Sequence, residues 1–334
     1  MLKSFYRAAV FPAAIRLGLD KVLRRLSERK RIILMYHGVV PKPDLKLSVN
    51  HLSVNDFEQH MAYLNRSFKI RKLCDLFEDY RNDVVPKDYE VAITFDDGYA
   101  NNYHYAFPVL KQLKMPATIF MVTKALDNPN HILWYDFIDG VKPQIDYKSL
   151  TAVNFGFPPS KEGVFKKIRD AESLKAFMKL ISVIEKNRII QWITEQGIQP
   201  DTAGHKEFFE LLSAEQIKEM TDSGLIEIGS HTHNHPNLSE ISVSEAEQEI
   251  SYSKALIERI TGDAVESIAF PDGSYNEEIK NLCINAGYRN LLAVDYKLKS
   301  DIYKKNILSR FCISNTTTNE SNFLRLGVRF LFEP

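Results

Sequence analysis

Short apolar runs alternate along the chain with longer segments of helical periodicity. Seven of the runs are apolar at nearly every position, which is typical of strands buried on both faces. They span residues 32–36, 91–95, 117–122, 226–230, 267–270, 291–294 and 307–313. The pattern therefore predicts a largely buried, mainly parallel sheet.

Helices are predicted between these strands. Phe57 and Leu64 fall on one face at helical spacing, and we interpret His60 on that same face as a core residue. Ser242 and Glu245 form a capping box that predicts the start of a further helix. Strands that alternate with helices in this way are typical of a parallel α/β sheet, and a closed or nearly closed barrel would bury both of its faces.

Three segments depart from this alternation. Residues 127–214 contain helical patterns, such as 177–192, but no convincing strand, so we interpret them as an insertion over one face of the barrel. Residues 1–31 form a basic amphipathic arm, and 316–334 are interpreted as a C-terminal tail. The remaining domain, residues 32–315, is predicted to be a distorted (β/α)7 barrel.

Charge and cysteine content narrow the function classes. The chain has 43 basic and 43 acidic residues, so no global field favours nucleic acid. The arm carries a charge of +7, which fits either peripheral contact with an anionic membrane or a helix packed on the domain. Three separated cysteines, no clear secretion signal and no long apolar run favour a cytoplasmic protein, at the inner face of the membrane if the arm binds lipid.

Two adjacent carboxylates, Asp96 and Asp97, follow the second predicted strand. Barrel active sites are built at the carboxyl ends of the strands. Neighbouring carboxylates repel each other unless a positive charge lies beside them, and a metal ion could bind one while the other acts as a base. Because Asp-Asp-Gly is also a common turn sequence, the pair alone does not establish a site.

A histidine cluster follows the fourth strand. His231 and His235 could both face one ion if the backbone turned helically between them, and we favour this pair over His231 with His233 on an extended segment. With Asp97 they would make a ligand set typical of a divalent ion, with a position open for water. We expect Zn²⁺, with Co²⁺, Ni²⁺, Mn²⁺ or Fe²⁺ as alternatives.

Two further loops end at the same predicted edge. His37 follows the first strand, where an imidazole could donate a proton or simply form a structural hydrogen bond. Pro271 and Gly273 follow the fifth strand and are expected to shape a wall of the site.

These motifs resemble the polysaccharide deacetylase family, which is carbohydrate esterase family 4 and carries the NodB-homology domain. The segments TFDDGY (94–99) and HTHNHP (231–236) are similar to its first two motifs, in the expected order. Softer matches occur at PATIFMVT (116–123) and AFPDGSYN (269–276). The resemblance extends over about residues 31–315, apart from most of the insertion.

The resemblance implies a distorted seven-stranded α/β barrel and a role for each site residue. Asp97, His231 and His235 would hold the metal, and Asp96 would be the base that activates a metal-bound water. The leading ILMYHG resembles the subgroup that acts on poly-N-acetylglucosamine, which makes His37 the expected proton donor.

The chain departs from the family pattern at two positions. Ala269 stands where many relatives have an arginine that orients the catalytic aspartate, and we expect Arg310 to supply that guanidinium from the last strand. Asp272 replaces an aromatic residue that is often found there. The backbone N–H of Tyr99 is expected to stabilise the developing oxyanion.

The predicted function is therefore metal-dependent removal of N-acetyl groups from an N-acetylated sugar or polysaccharide. An O-acetyl esterase would use the same site, and a membrane-surface protein acting on a lipid-linked sugar is a further alternative. A binding protein without catalysis is disfavoured because all four metal and base positions are occupied by suitable residues.

Overall fold

The computed structural model describes residues 17–25, 30–313, 315 and 318–332. Much of the basic arm lies outside these residues, and its predicted membrane contact stays a prediction. The strands are β1 (Arg31–Tyr36), β2 (Gly38–Val40), β3 (His51–Ser53), β4 (Lys69–Ile70), β5 (Glu90–Phe95), β6 (Ala117–Met121), β7 (Ile226–Ser230), β8 (Ser267–Ala269), β9 (Asn290–Ala293), β10 (Ile307–Ser309) and β11 (Phe311–Cys312).

Fifteen α-helices occur in the described part of the chain, with short π and 3-10 turns at Asn102–Ala106, Leu238–Glu240, Pro271–Gly273 and Lys299–Tyr303. The helices are α1 (Leu19–Arg25), α2 (Val54–Ser67), α3 (Leu73–Arg81), α4 (Phe107–Leu113), α5 (Lys124–Asp127), α6 (Trp134–Val141), α7 (Tyr147–Ala152), α8 (Pro159–Phe165), α9 (Ala171–Met178), α10 (Val183–Glu195), α11 (Lys206–Phe209), α12 (Ala214–Asp222), α13 (Val243–Thr261), α14 (Glu277–Asn285) and α15 (Asn319–Phe332).

The main sheet is a nearly closed barrel. Its strands are ordered β10-β9-β8-β7-β6-β5-β1-β11, and every neighbouring pair is parallel. Only Arg310 separates β10, which pairs with β9, from β11, which pairs with β1. The last predicted strand thus reaches both edges of the sheet, and the predicted distorted (β/α) barrel is confirmed.

Alternate residues of the strands pack in two layers. Ile33, Ala92 and Phe120 belong to one buried cluster that also includes Leu76 of α3. The intervening strand residues pack under the surrounding helices in a larger core. Both faces of the strands are therefore buried, which is why the runs are apolar at nearly every position.

The insertion is helical and has its own hydrophobic core. That core is formed mainly by α6 to α10, with Trp192 partly buried against it. The single helical pattern predicted over 177–192 is wrong, because α9 ends at Met178 and α10 starts after Ser182. Ser182 caps α10 by accepting a hydrogen bond from the backbone N–H of Glu185, and the Glu185 carboxylate accepts one from the backbone N–H of Ser182.

The C-terminal segment forms a helix, α15, where we predicted only a tail. Leu326 is buried, and the half-buried Phe323 stacks on Tyr63 with ring centroids 4.0 Å apart. The helix packs against α1 and α2. None of the described helices combines the length and apolarity needed to cross a membrane.

Candidate active site

Asp96 and Asp97 lie directly after β5, at the carboxyl end of the barrel. Both are 3% exposed. Asp97 and Gly98 have left-handed backbone conformations, with φ of 74° and 77°. A Cβ at residue 98 would lie 2.7 Å from the Cβ of Met121, so this turn requires glycine both for its conformation and for its close approach to β6.

Asp97, His231 and His235 form a buried three-residue cluster. Their potential ligand atoms all lie within 4.8 Å of one another. Asp97 Oδ1 is 3.6 Å from His231 Nε2 and 3.5 Å from His235 Nε2. The structure therefore brings the three predicted metal ligands together from β5 and β7.

The predicted helical turn between His231 and His235 is wrong. The segment is a loop in which Thr232 and His235 have positive φ values of 67° and 54°. The imidazoles therefore converge in this loop without an intervening helical turn. Strained residues of this kind persist only where surrounding contacts hold them.

The electrostatics of the cluster fit a divalent cation. Burial, followed by repulsion from Asp96, raises the pKa of Asp97 to about 8. Burial lowers the pKa of both His231 and His235, so both imidazoles stay neutral. His231 Nδ1 lies 2.8 Å from the Ala269 carbonyl oxygen, and donation to that carbonyl leaves the lone pair on Nε2, facing Asp97. An ion would supply the positive charge that these three groups lack.

Asp96 is held by Arg310. Arg310 Nη1 donates to Asp96 Oδ1 at 2.6 Å, and Nη2 donates to Oδ2 at 2.7 Å. Burial alone would raise the pKa of Asp96, but the guanidinium outweighs it and lowers the pKa to about 2. The guanidinium also packs over Phe120, with 5.4 Å from Cζ to the ring centroid. Asp96 is therefore a carboxylate at neutral pH, as a base must be.

His37 lies at the same end of the barrel, beside the carboxylates. It is partly exposed and lines one cavity with Asp96, Asp97 and His231. Burial lowers the pKa of His37 to about 4, and the charge of Asp96 opposes this shift. The imidazole is therefore neutral at neutral pH.

Comparison with known proteins identifies the family of the chain. The family model described as polysaccharide deacetylase matches residues 83–153 and 170–291, more than half of the chain. The chain belongs to the polysaccharide deacetylase family. The gap in the match, residues 154–169, falls within the helical insertion.

Individual relatives of this deacetylase-family chain are distant. The Bacillus subtilis (strain 168) protein YxkH, named for an inferred polysaccharide deacetylase activity, is 24% identical over 258 residues. The match covers 77% of this chain but only 62% of YxkH. The solved structure of the Streptococcus pyogenes deacetylase PplD in complex with acetate has a TM-score of 0.57 at 19% identity, covering 90% of this chain and 98% of that one. IcaB from Ammonifex degensii has a TM-score of 0.56 at 16% identity, with coverages of 90% and 97%. These two likenesses show the fold.

A cavity of about 530 Å³ opens onto the three-residue cluster of this deacetylase-family site. The insertion supplies one wall through α6 and α9, and Lys179 at the end of α9 contacts Asp272 across the cleft. Pro271 is buried and begins the short turn that carries Asp272 and Gly273 into the wall. The predicted wall-forming loop thus lies at the site, although Pro271 itself does not line the cavity.

Tyr99 is 2% exposed, and its hydroxyl donates to Asp136 at 2.7 Å. Its ring is therefore a packed part of the site, and the oxyanion role expected of its amide stays a prediction. The ring of Tyr135, half-buried, packs edge-on against His235 with centroids 5.1 Å apart. Trp134 Nε1 donates to the carbonyl oxygen of His235 at 3.3 Å.

His233 faces away from the three-residue cluster. Its Nδ1 lies 2.9 Å from Thr123 Oγ1, and its Nε2 lies 3.6 Å from Asp127 Oδ2. The alternative pairing of His231 with His233 is therefore not the one that the structure brings together. One residue that contacts this loop, Glu249 of α13, was missed because its position in a helical pattern carries no chemical signal.

Proposed function

We propose that this protein is a metal-dependent deacetylase that hydrolyses N-acetyl groups on a carbohydrate. The observation that carries the proposal is the buried convergence of Asp97, His231 and His235 beside a carboxylate, Asp96, that is paired with Arg310. The deacetylase PplD, whose fold is similar, was solved in complex with acetate, the acid product that such a reaction would release.

Asp97, His231 and His235 would hold the ion, and Zn²⁺ fits a set of two imidazoles and one carboxylate. When bound, the ion would lower the pKa of a coordinated water and polarise the acetyl carbonyl. The described residues offer the ion three ligand atoms from two strand ends, which leaves room for water and substrate on the cavity side.

Asp96 acts as the general base. Its carboxylate is ionised because Arg310 lowers its pKa, and Asp96 Oδ2 lies 4.0 Å from His231 Nε2, at the edge of the three-residue cluster. It therefore accepts the proton of a water that attacks the acetyl carbon. The two bonds from Arg310 fix the orientation of the carboxylate while this happens.

His37 acts as the general acid. The departing amine must gain a proton as the C–N bond breaks, because it leaves too poorly as an anion. Burial lowers the pKa of His37, so the imidazole must gain a proton before it can give one to the amine. The proton that Asp96 takes from the water balances the one that the amine receives through His37, which lines the same cavity as Asp96, while the amide N–H of Tyr99 stabilises the oxyanion.

The test combines metal analysis with product measurement. The purified protein is expected to contain about one divalent ion per chain and to release acetate from N-acetylated glycans. Chelation should abolish the release, and added Zn²⁺ or Co²⁺ should restore it. Release from O-acetylated sugars alone would make the protein an esterase, and no release in the presence of bound metal would refute the proposal.

A further inference from the structure

The loop from Ser230 to His235 needs contacts that hold it in place. Two of its residues, Thr232 and His235, have left-handed conformations, which cost free energy for residues other than glycine. The loop also carries two of the three ligands proposed for the metal. Any motion of the loop would therefore change the distance between the imidazoles.

Glu249 of α13 binds the middle of this loop. Its Oε2 accepts the backbone N–H groups of His233 at 2.9 Å and Asn234 at 2.7 Å. Its Oε1 accepts a third hydrogen bond, from Asn234 Nδ2 at 2.6 Å. Glu249 is 7% exposed, so these charge-assisted bonds form with little competition from water.

Ser253 lies one helical turn further along the same face of α13. Its hydroxyl is 2.7 Å from Ser230 Oγ, which in turn accepts the backbone N–H of Thr232 at 3.1 Å. One face of α13 therefore binds both the start and the middle of the loop. A further hydrogen bond lies within the loop itself, where Thr232 Oγ1 accepts the backbone N–H of His235 at 3.1 Å.

We propose that Glu249 is a positioning residue for the metal site: its carboxylate binds the amides of His233 and Asn234 and so holds His231 and His235 at the separation that one ion requires. This inference rests on the proposed function, because it presupposes that the two imidazoles bind a metal. Outer contacts of this kind fix the orientation of ligands and raise metal affinity.

Replacing Glu249 by glutamine keeps the shape of the side chain and removes its negative charge. The amide oxygen of Glu249→Gln can still accept both backbone N–H groups, but its NH₂ group would face the NH₂ group of Asn234. Alanine removes all three bonds. The matched control is Glu247→Ala, which removes an exposed carboxylate from the same helix.

The experiment measures the affinity of the metal-free protein for Zn²⁺ by titration calorimetry and records the absorption spectrum of the Co²⁺-loaded protein. Glu249→Ala is expected to lose about ten- to hundredfold in affinity. Glu249→Gln is expected to lose less affinity, about threefold or more, because hydrogen bonds to a charged carboxylate become hydrogen bonds to a neutral amide. Both should change the Co²⁺ spectrum, whereas Glu247→Ala should match the wild type.

Variants that melt at a lower temperature but keep wild-type affinity and the wild-type Co²⁺ spectrum would refute the positioning role. If Glu249→Ala does not fold, Glu249→Gln decides by the same criterion. A wild-type protein that binds no Zn²⁺ would refute the proposed function itself, and this inference with it.

Discussion

Replacing Arg310 removes the only charge-assisted partner that the described residues give to the Asp96 carboxylate. The guanidinium makes two bonds to Asp96, at 2.6 and 2.7 Å, and both side chains are almost fully buried, at 0% and 4% exposure. In Arg310→Ala, Asp96 would be an unpaired charge inside the barrel. Arg310→Met keeps most of the side-chain volume and so separates the loss of charge from the loss of packing.

The expected loss is large because the pair is buried. Removing one partner of a buried ion pair typically lowers the free energy of unfolding by about 3–5 kcal/mol. The exposed pair between Arg289 and Glu266, with side chains 58% and 38% exposed, provides a control on the same barrel. For such pairs the expected loss in Arg289→Ala is about 0–1 kcal/mol.

The activity should respond in a defined direction. Without Arg310, the effect of burial on Asp96 prevails and raises its pKa. A base works only when deprotonated, so the fall in kcat/KM at low pH should move to higher pH in Arg310→Ala. The loss of an oriented base should also lower kcat by about a hundredfold or more at neutral pH.

Urea unfolding and pH-dependent acetate release measure both effects. Arg310→Ala and Arg310→Met should resemble each other and differ from Arg289→Ala. The reasoning would be refuted if Arg310→Met kept the stability and turnover of the Arg289→Ala control, because the bond to Asp96 would then contribute neither to folding nor to catalysis.

Four other substitutions test the remaining roles. Asp96→Asn should keep the metal but abolish deacetylation, measured by metal analysis and acetate release, and retained turnover would contradict its role as base. His235→Ala should lose the metal, whereas His233→Ala should keep it because that ring bonds to Thr123 instead; equal metal contents would contradict the assignment. His37→Ala should slow hydrolysis of N-acetyl sugars but not of p-nitrophenyl acetate, whose leaving group needs no proton. Equal slowing of both substrates would argue against its role as acid.

The sequence predicts the barrel well because its strands are buried on both faces. A strand such as β5 then appears as a continuous apolar run, and polar residues mark its end at Asp96. The strands that were missed are short. Strands β2 and β4 have three and two residues, too few for any periodicity, and β2 is held partly by a side chain, because Asn101 Oδ1 accepts the N–H of Val39 at 3.1 Å.

The site residues could be predicted, but their geometry could not. Strand-end position brings Asp97 and His231 together whatever the loop conformation, since the carboxyl ends of parallel strands meet at one edge. The conformation of the loop to His235 depends on Glu249, which is 14 residues further along the chain and in a helix. The spacing of the two histidines carries no information about that contact. A helical turn was therefore expected from the spacing alone.

Arg310 illustrates why a fixed motif position can mislead in a barrel. Alternate strand residues all point into one shared interior, so a guanidinium can reach Asp96 from more than one strand. Arg310 comes from the junction of β10 and β11, and β11 is separated from β5 only by β1. Ala269, where many relatives have the arginine, is small and fully buried in the interior cluster with Phe120, over which Arg310 packs. The interior therefore holds a small residue at the end of β8 and a long one after β10, and it is the long one that reaches Asp96.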